Sequence, residues 1–105
     1  MPFGSIINET IVMEIKQDEN QKKGKFYYEE EGKQLAEMTY TYAGDDKIII
    51  DHTEVDDSLR GKGVGYKLVE AAVHFARENN ISIMPLCPFA HAVFKKKSGY
   101  SDVLF

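Results

Sequence analysis

This chain is marked first by what it lacks: it has one cysteine in 105 residues, no low-complexity tract and no excess of positive charge. A lone Cys87 cannot close an intrachain disulfide or build a cysteine zinc cluster within one chain, so its chemistry is that of a thiol. No window approaches the ~18 consecutive apolar residues of a spanning helix, so no membrane partner is expected. The opening MPFGSIINET has neither the basic flank nor the apolar run of a secretory signal, and the expected address is the cytoplasm. No set of histidines and carboxylates falls at a metal-ligand spacing, and no metal is expected. The length fits one domain, residues 1–105, with a single small core.

Charge is divided unevenly. Residues 1–57 hold 14 acidic and 6 basic side chains, whereas residues 58–105 hold 3 acidic and 7 basic. A chain with a net charge of −4 has no broad basic face for nucleic acid. Its positive C-terminal half suits a compact anion instead.

Hydrophobic periodicity divides the chain in the same place. Ile11, Met13 and Ile15 alternate with polar residues, and QDENQKKGK then reads as a polar turn before FYYEEEGK. QLAEMTYTY alternates as a half-buried antiparallel strand, with Ala36, Met38, Tyr40 and Tyr42 on one face. KIIIDHTEV follows as a strand with a buried start. After it the period changes: Val64, Leu68, Ala71, Ala72 and Phe75 fall on one helical face, and Asn79 and Asn80 offer a stop. ISIMPLCP reads as a short buried strand, FAHAVFKKKSGY as a helix closed by Gly99, and SDVLF as a last short strand. The fold class is α+β: antiparallel strands, a C-terminal βαβ unit and a final helix.

Gly61, Gly63 and Gly65 stand at alternate positions just before the first helix. The first turn of a helix has unpaired N–H groups at the positive end of its dipole, and small residues ahead of it let a phosphate approach them. Arg60, Lys62 and Lys67 add positive charge there, and a pyrophosphate suits the site. A Walker loop would need Ser or Thr after its Gly-Lys, and a Rossmann fingerprint would need a G-x-G-x-x-G spacing; neither is present. The plain alternative is a tight strand-to-helix turn.

VDDSLRGKGVG, from Val55 to Gly65, resembles the acetyl-CoA pyrophosphate loop of the GNAT acetyltransferase superfamily. That pattern is Arg or Gln, two residues, Gly, one residue, then Gly or Ala, and Arg60, Gly63 and Gly65 match it. Gly99 and Tyr100 resemble the closing Gly-aromatic pair, while HTEV and the cysteine of LCP resemble a subgroup of very small GNAT-like proteins. The resemblance spans roughly residues 35–102. It implies a GNAT-like mixed sheet, acetyl-CoA as ligand, and transfer of acetyl to an unidentified amine. On it the loop Arg60, Gly61, Lys62, Gly63, Val64 and Gly65 holds the pyrophosphate, and the strand ending at Val55 pairs with the pantetheine arm. Leu59 and Val64 then lie near the cofactor, with Lys62 and one or more of Lys95, Lys96 and Lys97 near the adenosine phosphates.

Two departures bear on transfer. Family members typically place one or two helices between their first two strands, where this chain has only QDENQKKGK, and Lys95 stands where many carry a tyrosine acid. The alternative is therefore an acetyl-CoA-binding module with little or no transfer. Candidate chemistry falls to Cys87, whose thiol either takes the acetyl group or is a small buried hydrophobe. His52 and Glu54, two apart on one strand face, are either an acid/base pair or a solvated surface. Tyr100 is a further candidate. His91 reads as structural and His74 as exposed. A monomer or weak dimer is expected.

Overall fold

Alternation in QLAEMTYTY buries Ala36, Met38 and Tyr40 along one face, and that strand is the centre of the antiparallel part of the sheet. The computed structural model describes residues 14–105. Its order is β1 (Lys16–Glu19), β2 (Lys23–Glu30), β3 (Lys33–Tyr42), β4 (Lys47–Val55), α1 (Val64–Asn79), β5 (Ser82–Pro85) and α2 (Pro88–Lys96). Short 3₁₀ turns at Asp57–Leu59 and Ser98–Val103 complete it. The five strands form one sheet in chain order; β1 to β4 are antiparallel and β5 lies parallel to β4. The expected α+β mixed sheet with a C-terminal βαβ unit is the observed architecture.

The core lies between one sheet face and the helices. Phe26, Met38, Tyr40, Ile48, Ile50 and Ile83 from the strands meet Leu68, Val69, Ala72, Val73 and Ala76 of α1, with Ala90, Val93 and Phe94 of α2. Phe26 packs against Tyr40 at 5.3 Å and edge-on to Phe75 at 5.9 Å. The stripe on α1 is wider than its predicted face, because a helix covering a sheet buries more than one seam. Asn80 ends α1 in the left-handed region (φ 55°), its N–H donating to the Ala76 carbonyl.

Three local expectations are corrected. QDENQKKGK is not one long turn: Lys16–Glu19 is a strand paired with β2, and only Asn20–Lys22 turn, held by Asn20 Oδ1 accepting from the N–H groups of Lys22 and Lys23. Ile11 and Met13 lie outside the described residues, and Ile15 packs against the core ahead of β1. Helix α2 ends at Lys96, capped by Lys97 rather than closed by Gly99, and SDVLF is mostly 3₁₀ turn, with Leu104 alone bridging to Ile83.

Candidate functional site

The parallel pairing of β4 with β5 is short. It runs from Lys47 opposite Ser82 to Ile50 opposite Pro85, after which the N–H groups of Leu86 and Cys87 both donate to the Ile50 carbonyl and the chain turns into α2. From Asp51 to Val55, β4 continues beside β3 with no strand on its other side among the described residues. Asp51 is the extra residue of a bulge, since Tyr40 pairs with Ile50 and Thr39 with His52. Its carboxylate accepts from the hydroxyls of Thr39 (2.5 Å) and Thr41 (3.0 Å). The β4 edge thus opens where β5 leaves it.

Beyond Val55 the chain makes a capped turn. Asp56 accepts from the Ser58 N–H (3.0 Å) and hydroxyl (2.6 Å), which hold its carboxyl below the usual range. Leu59 is buried and anchors the turn, as Val64 anchors the start of α1; both face the core. Arg60 is exposed and pairs with Asp57 at 2.9 Å. Gly61 (φ 80°) and Gly63 (φ 73°) occupy the left-handed region, and nothing lies within 4 Å of where a Cβ would stand on either. Gly63 caps α1 without a side-chain bond, and the N–H groups of Gly63, Val64, Gly65 and Tyr66 find no acceptor among the described residues. Gly65 differs: a Cβ there would stand 2.5 Å from Cζ of Phe89.

Cys87 caps α2 and is buried, its Sγ donating to the Thr53 hydroxyl at 3.2 Å. The structure therefore sets the thiol beside the free edge of β4. It does not bring His52 and Glu54 to the same place. Their side chains approach at 3.7 Å, are 59% and 74% exposed, and lie on the face of β4 opposite Thr53. Tyr100 packs on Phe94 at 5.9 Å in a segment tied to the last turn of α1, where Arg77 donates to Asp102 and to the Gly99 carbonyl. The glycine loop is at the other end of α1, about 20 Å away at 1.5 Å per residue. Lys95 lines an apolar cleft with Met84, His91, Leu104 and Phe105, whereas Lys96 and Lys97 approach Tyr66. His74 is exposed and lies 3.2 Å from Glu78.

Sequence reasoning passed over Thr53, Asp51 and Phe89. The sequence signal for Thr53 was available, since it alternates with His52 and Glu54 and so must face the helices. The bulge at Asp51 and the seat of Phe89 on Gly65 depend on tertiary packing. Among the described residues no group of three or more His, Cys, Asp or Glu side chains could hold a metal ion, and no helix is long and apolar enough to cross a membrane.

The fold recurs in known proteins. A GCN5-like protein from Staphylococcus aureus, solved in solution by NMR, is 47% identical, with a TM-score of 0.70 over 89% of this chain and 88% of its own. A Clostridium acetobutylicum protein crystallised with acetyl-CoA is 20% identical, with a TM-score of 0.58 over 70% of this chain and 55% of its own, a likeness of fold alone. Protein NATD1 of Xenopus tropicalis is 31% identical over 61 residues, 58% of this chain and 56% of its own length. The chain thus spans about half the length of the curated relatives it matches. The family model for GCN5-related N-acetyl-transferase matches residues 25–103. The chain belongs to the GCN5-related N-acetyltransferase family.

Proposed function

We propose that this chain binds acetyl-CoA at the turn from Arg60 to Gly65 and transfers its acetyl group to an amine. The observation that carries the reading is the juxtaposition of two unpaired backbone edges. The N–H groups from Gly63 to Tyr66 point out of α1 with no side chain on Gly61 or Gly63 to obstruct them, and β4 lies open from Asp51 to Val55. The first edge fits a pyrophosphate and the second an amide-bearing arm. When bound, acetyl-CoA supplies an activated thioester. The chain's own part is to hold the nucleotide end with backbone donors and the cations Arg60 and Lys62, and to present the reacting end beside Cys87 and Thr53. Val55 belongs to the open edge, while Leu59 and Val64 hold the loop from beneath.

Cys87 is the residue we assign to the acetyl group. Its thiol sits where β4 and β5 part, and Thr53 orients it. His52 and Glu54 lie across β4 from that thiol, on the uncovered side of the sheet, and we assign them no part in the transfer. The second reading is a binding module with little or no transfer. It is favoured by the placement of that pair across β4 from Cys87, and by Tyr100 and Lys95 standing away from the thiol.

Calorimetric titration with acetyl-CoA tests the binding step. Gly63→Asn and Gly63→Asp place side chains of similar size at a φ that Asn and Asp tolerate best among non-glycine residues. The Asp variant adds a negative charge against the pyrophosphate, and its affinity should be at least about tenfold weaker than that of the Asn variant. Equal affinities in two folded variants would remove the loop from the site.

A further inference from the structure

Five large apolar side chains among the described residues are exposed: Tyr66, Leu86, Phe89, Leu104 and Phe105. Tyr66 and Phe89 pack on each other at 5.9 Å. The other three come together in one cleft of about 400 Å³ on the outer side of β5, between α2 and the tail. That volume lies at the lower end of the range of small-molecule sites. None of the lining residues belongs to the turn Arg60–Gly65 or to the open edge of β4, so this is a separate surface.

Both walls of the cleft are fastened. On the tail side Leu104 bridges to Ile83, the Phe105 N–H donates to the Ile83 carbonyl at 2.9 Å, and Lys47 Nζ lies 3.4 Å over the Phe105 ring. The other wall is α2, where Phe94 joins the core and His91 and Lys95 line the cleft one helical turn apart. Residues so spaced have their Cβ atoms ~5–6 Å from each other. Neither has an ion-pair partner among the described residues, and no carboxylate side chain lines the cleft. Covering the apolar surface would release water, but an ammonium group cannot be covered without a counter-charge. An occupant with an apolar body and one anionic head satisfies both conditions.

We propose that this cleft binds a carboxylate with an apolar body, of the size of a medium-chain fatty acid. The body lies on Met84, Leu86 and Phe105, and the two carboxylate oxygens accept from the Lys95 ammonium and from a ring N–H of His91. An imidazole presents an N–H in either protonation state, so one full cation and one further donor match a single negative charge. A phosphate dianion would keep part of its charge unmatched. The proposal does not depend on whether the chain binds acetyl-CoA.

The test follows amide ¹H–¹⁵N spectra of the full chain during titration with octanoate and with 1-octanol, at one pH and one salt concentration. Octanoate should give saturable shifts confined to β5, α2 and the tail, with an affinity on the order of tenfold tighter than that of octanol. Lys95→Met keeps the apolar stem and removes the charge, so it should bring octanoate down to the octanol level, and Lys95→Arg should restore the preference. Phe105→Ala should weaken both ligands alike. Equal binding of the two ligands by the wild type, or a preference that survives Lys95→Met, overturns the proposal. So do shifts spread over α1 and the whole sheet, which would mark a detergent effect. A wild-type dimer whose cleft amides do not respond to octanoate also overturns it, since the occupant would then be a second copy of the chain.

Discussion

The Cys87 thiol donates to the Thr53 hydroxyl at 3.2 Å, joining the second residue past β5 to the strand that β5 has just left. The contact depends on the end of the ladder at Ile50 and Pro85, since further parallel pairing would keep the backbones there and carry Cys87 away from α2. If this thiol takes the acetyl group, Cys87→Ser should bind acetyl-CoA within about twofold of wild type, because the pyrophosphate loop is untouched and Thr53 can still pair with a hydroxyl. Intact-mass measurement after incubation should show an acetyl adduct on the wild-type chain and none on the variant. The same adduct on Cys87→Ser would remove Cys87 from the chemistry. Thr53→Val keeps the shape and removes the acceptor, so adduct formation should slow with affinity unchanged.

The contact between Gly65 and Phe89 predicts non-additivity. In the wild-type chain, Gly65→Ala adds a methyl group 2.5 Å from the Phe89 ring, an overpacking cost of about 1–3 kcal/mol set against a helix-propensity gain of about 1 kcal/mol. After Phe89→Ala only the gain remains, and the same Gly65→Ala change should stabilise by about 1 kcal/mol. Chemical denaturation of the four chains of the cycle checks the sign reversal. Additive effects would mean that the third glycine is present for a reason other than Phe89.

These particulars show how far the sequence can be read. The strand Lys33–Tyr42 and the helix Val64–Asn79 were legible because each has one face in the core, so burial is printed in the period. Strand β1 was not legible. All four of its residues are exposed, so KQDE carries no alternation of burial, and the side-chain bonds of Lys16, Gln17 and Glu19 to β2 and β3 leave no periodic signal. The glycine loop was visible as a loop, but its three glycines read alike although they act differently. Gly61 and Gly63 supply a backbone conformation, whereas Gly65 makes room for a ring 24 residues later. Cys87 was legible as a candidate and its partner was not, because the meeting with Thr53 depends on how far two strands stay paired.

Arg77 offers a check on the tail. Its guanidinium makes paired bonds to Asp102, both at 2.9 Å, and donates to the Gly99 carbonyl at 2.8 Å, fastening Ser98–Val103 to the last turn of α1. The Arg77 hydrogen bond holds the Asp102 carboxyl below the usual carboxylate range. A depressed carboxylate contributes stability above its unfolded pKa and loses it as pH falls through the folded value. Amide exchange in residues 98–103, taken relative to the intrinsic rate at each pH, should therefore quicken on acidification in the wild-type chain. In Arg77→Ala it should already be fast at neutral pH. Acetyl-CoA affinity should not change, since the loop lies at the other end of α1.

The opposite sign applies at Glu19. Its carboxylate accepts from the Tyr40 hydroxyl at 2.5 Å and from the Tyr42 hydroxyl at 3.0 Å, and Gln17 donates to the Tyr40 oxygen at 2.8 Å. Burial first, and then the bond to Glu19, push Tyr42 up to about 12 and raise Tyr40 as well. For groups raised on folding, the stabilisation is complete below the unfolded value of ~10 and is lost as pH rises through the folded one. The wild-type chain should hold β1 against β2 and β3 in mild alkali and release it as these phenols ionise. Glu19→Gln removes the charge that opposes ionisation, so a tyrosinate absorbance titration should show Tyr42 ionising at lower pH, and the alkaline loss of stability should begin earlier. An unchanged tyrosinate curve would mean that burial alone sets both phenols and that Glu19 does not fasten the β1 edge through its charge.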